Sequence, residues 1–109
     1  MSFAIWSAPY DPAEKKDYSR DWTLELEATG DTLSAVNFTL PQVAIDAGLT
    51  VVVAVTAAAN MKAVVWFDCN DAAACLAALG GQKIDIVHAV TTTSGRELKE
   101  TLRLRIKEK

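Results

Sequence analysis

His88 is the only imidazole in the sequence, so any imidazole-dependent base, nucleophile-activating or metal chemistry must be built around it. Cys69 and Cys75 are the only cysteines, and their x5 spacing with a distant single histidine matches no common zinc pattern. Ser34 and Ser94 sit in no Gly-x-Ser-x-Gly elbow, and nothing in their position brings either to His88. Gly80-Gly81-Gln82-Lys83 has the look of a phosphate loop, but here the order is helix, glycine, strand. A phosphate cradle needs strand, glycine loop and then a helix N-terminus, so these glycines are read as ending a helix. The acids Asp11, Glu14, Asp17 and Asp21 lack calcium-loop spacing and suit turns and caps. No catalytic, cofactor-binding or metal-binding residue is therefore assigned, and the chain is expected not to be an enzyme.

Chemistry that remains is that of surfaces. Trp6, Tyr10, Tyr18, Trp22 and Trp66 are the large anchors. Trp22 and Trp66 lie in alternating segments and are read as core. Phe3, Ile5, Trp6 and Tyr10 precede or accompany the Pro9 and Pro12 breaks, in a segment without an obvious strand partner. They are the candidate interface residues, on an arm that either folds back as an edge strand or docks on a neighbour by strand addition. A net charge of −3 and a pI near 5.0 argue against nucleic acid as a partner. Arg103, Arg105 and Lys107 alternate with Leu102, Leu104 and Ile106, as a strand with one wet face requires. Two cysteines are too few for a disulfide framework and read as free thiols in a reducing compartment. The N-terminus lacks a signal-peptide pattern and no window is long and apolar enough for a transmembrane helix, so no membrane is expected.

The elements that must carry these residues are mostly strands. The chain has 109 residues, half of them apolar, enough for one domain with its own core. Residues 1–17 are read as an arm and turn, and residues 18–109 as one β-sandwich domain. Tyr18, Trp22, Leu24 and Leu26 share parity opposite Thr23, Glu25 and Glu27, predicting a strand through Glu27. Thr29-Gly30-Asp31 is a turn, Thr32 to Leu40 alternates again before Pro41, and the two strands are expected to pair as a hairpin. Gln42 to Ala47 fits loop, edge strand or helical turn equally. Leu49 to Thr56 is β-branched and nearly all apolar, which suits a strand buried on both faces or against a partner subunit. Met61 to Asp68 puts Ala63, Val65 and Phe67 on one face and Val64 and Trp66 on the other. Asp71 to Leu79 is the one helix, capped by Asn70 or Asp71 and ended by a left-handed Gly80. Ile84 to Thr92 and Leu98 to Ile106 form a terminal hairpin around Thr93-Ser94-Gly95-Arg96, with His88 at a half-exposed strand edge. The expected fold is all-β, an immunoglobulin-like antiparallel sandwich of about seven strands with one short helical insert.

The sequence also resembles a group of short tailed-bacteriophage virion proteins, fibre-tail adaptors or neck-associated components of immunoglobulin-like type. The resemblance runs through Asp11-Pro12 with Glu14, Asp17-Tyr18, Asp21-Trp22, Gly30-Asp31-Thr32, Gly48-Leu49-Thr50, Trp66, and Thr91 to Arg96 leading into a strand of alternating Leu and Arg. It departs between Asp68 and Gly80, where an alanine-rich insert lengthens the chain. What the resemblance implies is a structural component of a tailed-phage virion, made in the host cytoplasm, that links tail or neck to a fibre or another virion protein. Its partners would be other virion structural proteins and copies of itself in a symmetric ring or cluster, with no cofactor. Capsid decoration, or a cellular carbohydrate- or peptide-binding sandwich, is the alternative.

Overall fold

Every second side chain from Ile84 to Thr92 is buried, and Glu100, Leu102 and Leu104 repeat the pattern on the next strand. That period of two fixes the register of the terminal hairpin, because a slip of one residue would turn both rows to solvent. In the computed structural model, which describes residues 2–6, 8–57 and 59–108 (residues 2–5 through their backbone), these strands are β6 (Lys83–Thr92) and β7 (Glu97–Arg105). They pair antiparallel from Lys83↔Arg105 to Thr91↔Glu97.

Five further strands complete two sheets: β1 (Ser2–Ile5), β2 (Lys16–Asp21), β3 (Leu33–Thr39), β4 (Leu49–Ala57) and β5 (Lys62–Cys69). One sheet has the order β1-β7-β6-β3, with β1 parallel to β7, and the other the order β2-β5-β4. Strands β7-β6-β3 facing β2-β5-β4 follow the CFG-against-BED order of immunoglobulin sandwiches, with the first strand beside the last. The core between the layers takes Ile84, Ile86, Leu102 and Leu104 from one sheet and Tyr18, Ala63, Val65 and Phe67 from the other. Each larger aliphatic buried there contributes about 1.5–3 kcal/mol.

Several local expectations change. Thr23–Glu27 is a helix, α1, rather than the second half of a strand. The Asp21 carboxylate accepts the Thr23 amide at 2.9 Å and so starts a turn, and the following Leu and Glu residues favour helix. The helix separates two leucines that alternation would bury together, since Leu26 is 0% exposed and Leu24 83%. No β2–β3 hairpin forms, because β2 pairs with β5 and β3 with β6, on opposite sheets. The ambiguous Gln42 to Ala47 stretch contains helix α2 (Gln42–Asp46), which buries Ala44. The insert is helix α3 (Ala72–Leu79), whose first turn is capped by the Asp71 carboxylate accepting from the Ala74 amide at 3.1 Å. There are thus three short helices among the described residues, not one. Gly80 is not the left-handed residue after α3; Gly81 is, at φ +77°. Gly80 is instead needed for clearance, since a Cβ there would lie 2.5 Å from the Leu76 carbonyl oxygen.

Candidate partner-binding surface

The side chains capable of chemistry are spent on holding the layers together. His88 is fully buried, not half-exposed. It stacks on Phe38 with ring centroids 4.1 Å apart. Its Nδ1 lies 3.0 Å from the Asn37 carbonyl oxygen, which can only accept, so the proton sits on Nδ1. Nε2 is then the acceptor for the Trp22 indole N–H at 3.0 Å. Burial lowers the His88 pKa and favours this neutral ring. Beside it, Arg20 on β2 reaches across the interior to Glu100 on β7 through two bonds of 2.6 and 3.2 Å, and its guanidinium lies 4.0 Å from the centre of the Trp22 ring. Trp22, His88 and Phe38, from the end of β2, from β6 and from β3, occupy the middle of the sandwich as a polar cross-layer pin.

The serines do not approach this histidine. Ser94 donates to the Asp31 carboxylate and Ser34 donates to the Thr91 carbonyl oxygen at 3.0 Å. The amides after α3 are also taken: those of Gly80, Gly81 and Gln82 donate to the carbonyls of Leu76, Ile106 and Leu79 at 2.7–2.9 Å. Among the described residues, no group of three or more His, Cys, Asp or Glu side chains could hold a metal ion. Asp11 and Asp21 accept nearby amides in turns.

The N-terminal segment takes the folded-back of its two expected courses. β1 lies along β7, from Ser2↔Glu100 to Ile5↔Arg103. Trp6 follows, half-buried, with its indole N–H donating to the Ser19 carbonyl oxygen at 2.9 Å and its ring 4.9 Å from that of Tyr18. Tyr10 is fully buried, bridges to Ile106 and donates its hydroxyl proton to the Glu14 carbonyl oxygen at 2.8 Å. The side chains of Phe3 and Ile5 lie outside the described part of the structure.

An uncharged surface lies instead on the other sheet. β4 is an edge strand: β5 is its only strand partner among the described residues. Its nine residues, Leu-Thr-Val-Val-Val-Ala-Val-Thr-Ala, contain no charge and no proline, the usual means by which an edge is kept from pairing with another chain. Val53 and Val55 point outward and pair with Trp66 and Val64 of β5. A bulge between Val51 and Val53 leaves Val52 without a partner. Val52, Val53 and Val55 are 43–45% exposed and Trp66 37%. Lys15, Val52, Val53 and Trp66 line a shallow depression of about 400 Å³. A second of similar size lies where β4 passes β3, bounded by Ala35, Val36, Ala54 and Val55 with Ser34 and Thr56 at its polar ends. The apolar band therefore wraps the β4 edge and ends at β2, where Asp17 and Ser19 stand opposite Trp66 and Val64. Leu24 on α1, and Val43 and Ile45 on α2, are exposed separately and form no such band.

Trp66 as core was the wrong side of a correctly read alternation: it shares parity with Val64, on the face opposite Ala63, Val65 and Phe67. β4 is not buried on both faces within the chain, because Val52, Val53 and Val55 lie on an outward side that nothing among the described residues covers.

The motif residues quoted above lie mainly at internal joints. Asp31 is buried and its carboxylate gathers the Ser94 hydroxyl and amide, the Thr32 amide and, at 3.4 Å, the Arg96 guanidinium. The Ser94 and Thr92 hydroxyls hold its pKa well below the usual carboxylate range. Gly48, at φ +95°, accepts the Asn70 amide, and the Thr50 hydroxyl donates to the Asp68 carbonyl oxygen. The family described as podophage GP4 fiber-tail adaptor protein gp77 has a model that matches residues 11–105. No curated protein matches the chain.

Proposed function

From the premise that the chain belongs to the podophage GP4 fibre-tail adaptor family, a phage structural family, we propose that it joins the tail or neck to a fibre or another virion protein through β4. The observation that carries this reading is the uncharged β4 edge, continuous with the outward face of Val53, Val55, Val64 and Trp66. An extended segment of the neighbouring virion protein adds as a fourth strand beside β4. Its backbone satisfies the edge amides and carbonyls, and its alternate side chains cover the valines and Trp66. Copies arranged in a symmetric ring present this patch repeatedly, so a modest contact gains strength by multivalency. Trp6 and Tyr10 are already engaged within the sandwich, Trp6 with Ser19 and Tyr18 and Tyr10 with Glu14, which favours β4 as the contact.

The double substitution Val53→Lys and Val55→Lys tests this. Both positions are exposed, so the isolated protein should keep its fold, with stability within about 1 kcal/mol of the parent. Incorporation into particles should fall at least tenfold, read by quantitative mass spectrometry of purified virions. Normal copy number with a well-folded variant would refute the β4 contact.

A further inference from the structure

The two thiols meet where the end of β5 packs against α3, away from the proposed docking surface. Cys69 is the last residue of β5 and Cys75 lies in α3, on the far side of the Asp71 cap. Their Sγ atoms are 2.9 Å apart, about 0.9 Å more than a formed disulfide bond. Cys75 is fully buried and Cys69 half-buried. The Tyr10 hydroxyl oxygen, at the root of the N-terminal segment, is 3.7 Å from the Cys69 sulfur. We propose that Cys69 and Cys75 are a cystine-forming pair, reduced when the chain folds and cross-linked once it meets an oxidising medium.

The oxidant is a small-molecule disulfide. The Cys69 thiolate, the sulfur nearer solvent, attacks one sulfur of that disulfide and expels one small thiolate, leaving a mixed disulfide on Cys69. The Cys75 sulfur, having lost its proton, attacks Cys69 Sγ and expels the second small thiolate. Two electrons pass from the cysteine pair to the oxidant, and the protons lost by the cysteines are matched by those taken up by the two leaving thiolates. Cys69, the more exposed sulfur, is the attacking group, and burial raises the Cys75 pKa, which slows the second step. Closing so short a loop ties α3 to the end of β5 and raises Tm by roughly 5–10 °C. The pairing is argued from the 2.9 Å separation of the two sulfurs; that the bond forms on release from the cell rests on the virion reading, since virion surfaces are oxidising and the cytosol is not.

The test uses the full chain, purified under reductant and then exposed, folded, to oxidised glutathione. Intact mass should show the loss of two hydrogens with no glutathione retained, and peptide mapping should link Cys69 to Cys75 within one chain. Cys75→Ser should hold a stable glutathione on Cys69, and Cys69→Ser should resist modification while folded. A wild-type protein that keeps both thiols, that retains glutathione, or that cross-links only between chains would overturn the proposal. Cross-linking of the purified protein with both thiols still reduced in virions would overturn the timing and leave the cystine pair standing.

Discussion

Mild acid should weaken this sandwich through His88. In the folded chain the ring carries its proton on Nδ1, facing the Asn37 carbonyl, and offers Nε2 to the Trp22 indole N–H. A second proton would have to sit on Nε2, against another donor, in a fully buried site. Desolvation is the largest influence on the ring and lowers its pKa from the unfolded value of 6.5. The Asn37 carbonyl and then Glu100, opposite it on β7, pull the other way, and Arg20 from β2 adds to the lowering. The unfolded chain therefore binds this proton more readily than the folded one, and stability is complete above pH 6.5 and falls as the pH drops below it. One proton limits the slope to about 1.4 kcal/mol per pH unit, so acidification to about pH 5 removes at most about 2 kcal/mol. Asp21, Asp31 and Asp85 have lowered pKa values and lose their stabilising charge only below their unfolded value of 3.8, outside this window. Urea denaturation at several pH values, on wild type and His88→Gln, measures the effect. Glutamine can accept from Trp22 and donate to Asn37 without titrating, so its stability should be flat over the same range. The reasoning fails if the variant shows the same acid loss, or if wild type becomes more stable on acidification.

Three other changes should behave predictably. Gly80→Ala should cost about 1–3 kcal/mol by chemical denaturation, because its Cβ would meet the Leu76 carbonyl oxygen at 2.5 Å; Gly81→Ala, left-handed but in open space, should cost only about 1 kcal/mol. Arg20→Met should cost roughly 3 kcal/mol by leaving Glu100 buried without its guanidinium, and adding Glu100→Leu should recover part of that loss in a double-mutant cycle. Asp31→Ala should raise hydrogen-exchange rates at the Thr32 and Ser94 amides, which donate to its carboxylate, while leaving the β4–β5 amides unchanged.

What could be read from the residues was decided by how locally each element is determined. β6 is legible because its inward row, Ile84 to Thr92, has one consistent parity. α3 is legible because Asp71 and the alanine run agree on a helix. α1 was not, because Trp22, Leu24 and Leu26 fit a strand as well as a helix, and the deciding contact is a side-chain bond from Asp21 to the Thr23 backbone. Pairing was harder than existence. Thr29-Gly30-Asp31 supplies a good turn, yet the strands either side belong to different sheets, a choice made by β5 and β6 far along the chain. His88 could not be distinguished from an edge histidine, because its partners Trp22 and Asn37 lie 66 and 51 positions away. The same distance hides the thiol pair's relation to Tyr10, 59 positions from Cys69.

The division between inward and outward residues also explains why family and partner are unequally legible. Asp31 with Ser94 and Arg96, Trp22 with His88, and Thr50 with Asp68 each tie together segments that are distant in sequence or on opposite layers. A pattern built on them is a pattern of fold, since losing any one leaves a buried polar group unsatisfied. Val53 and Val55 answer to no such demand. They face away from the core, and the strand would pair with β5 as well with threonine or lysine in their place. If docking runs through β4, as proposed, partner choice can be rewritten there without disturbing the joints that define the sandwich. A chain that retained the Asp31, Trp22–His88 and Asp68 joints but carried charges along β4 would keep this architecture and dock elsewhere.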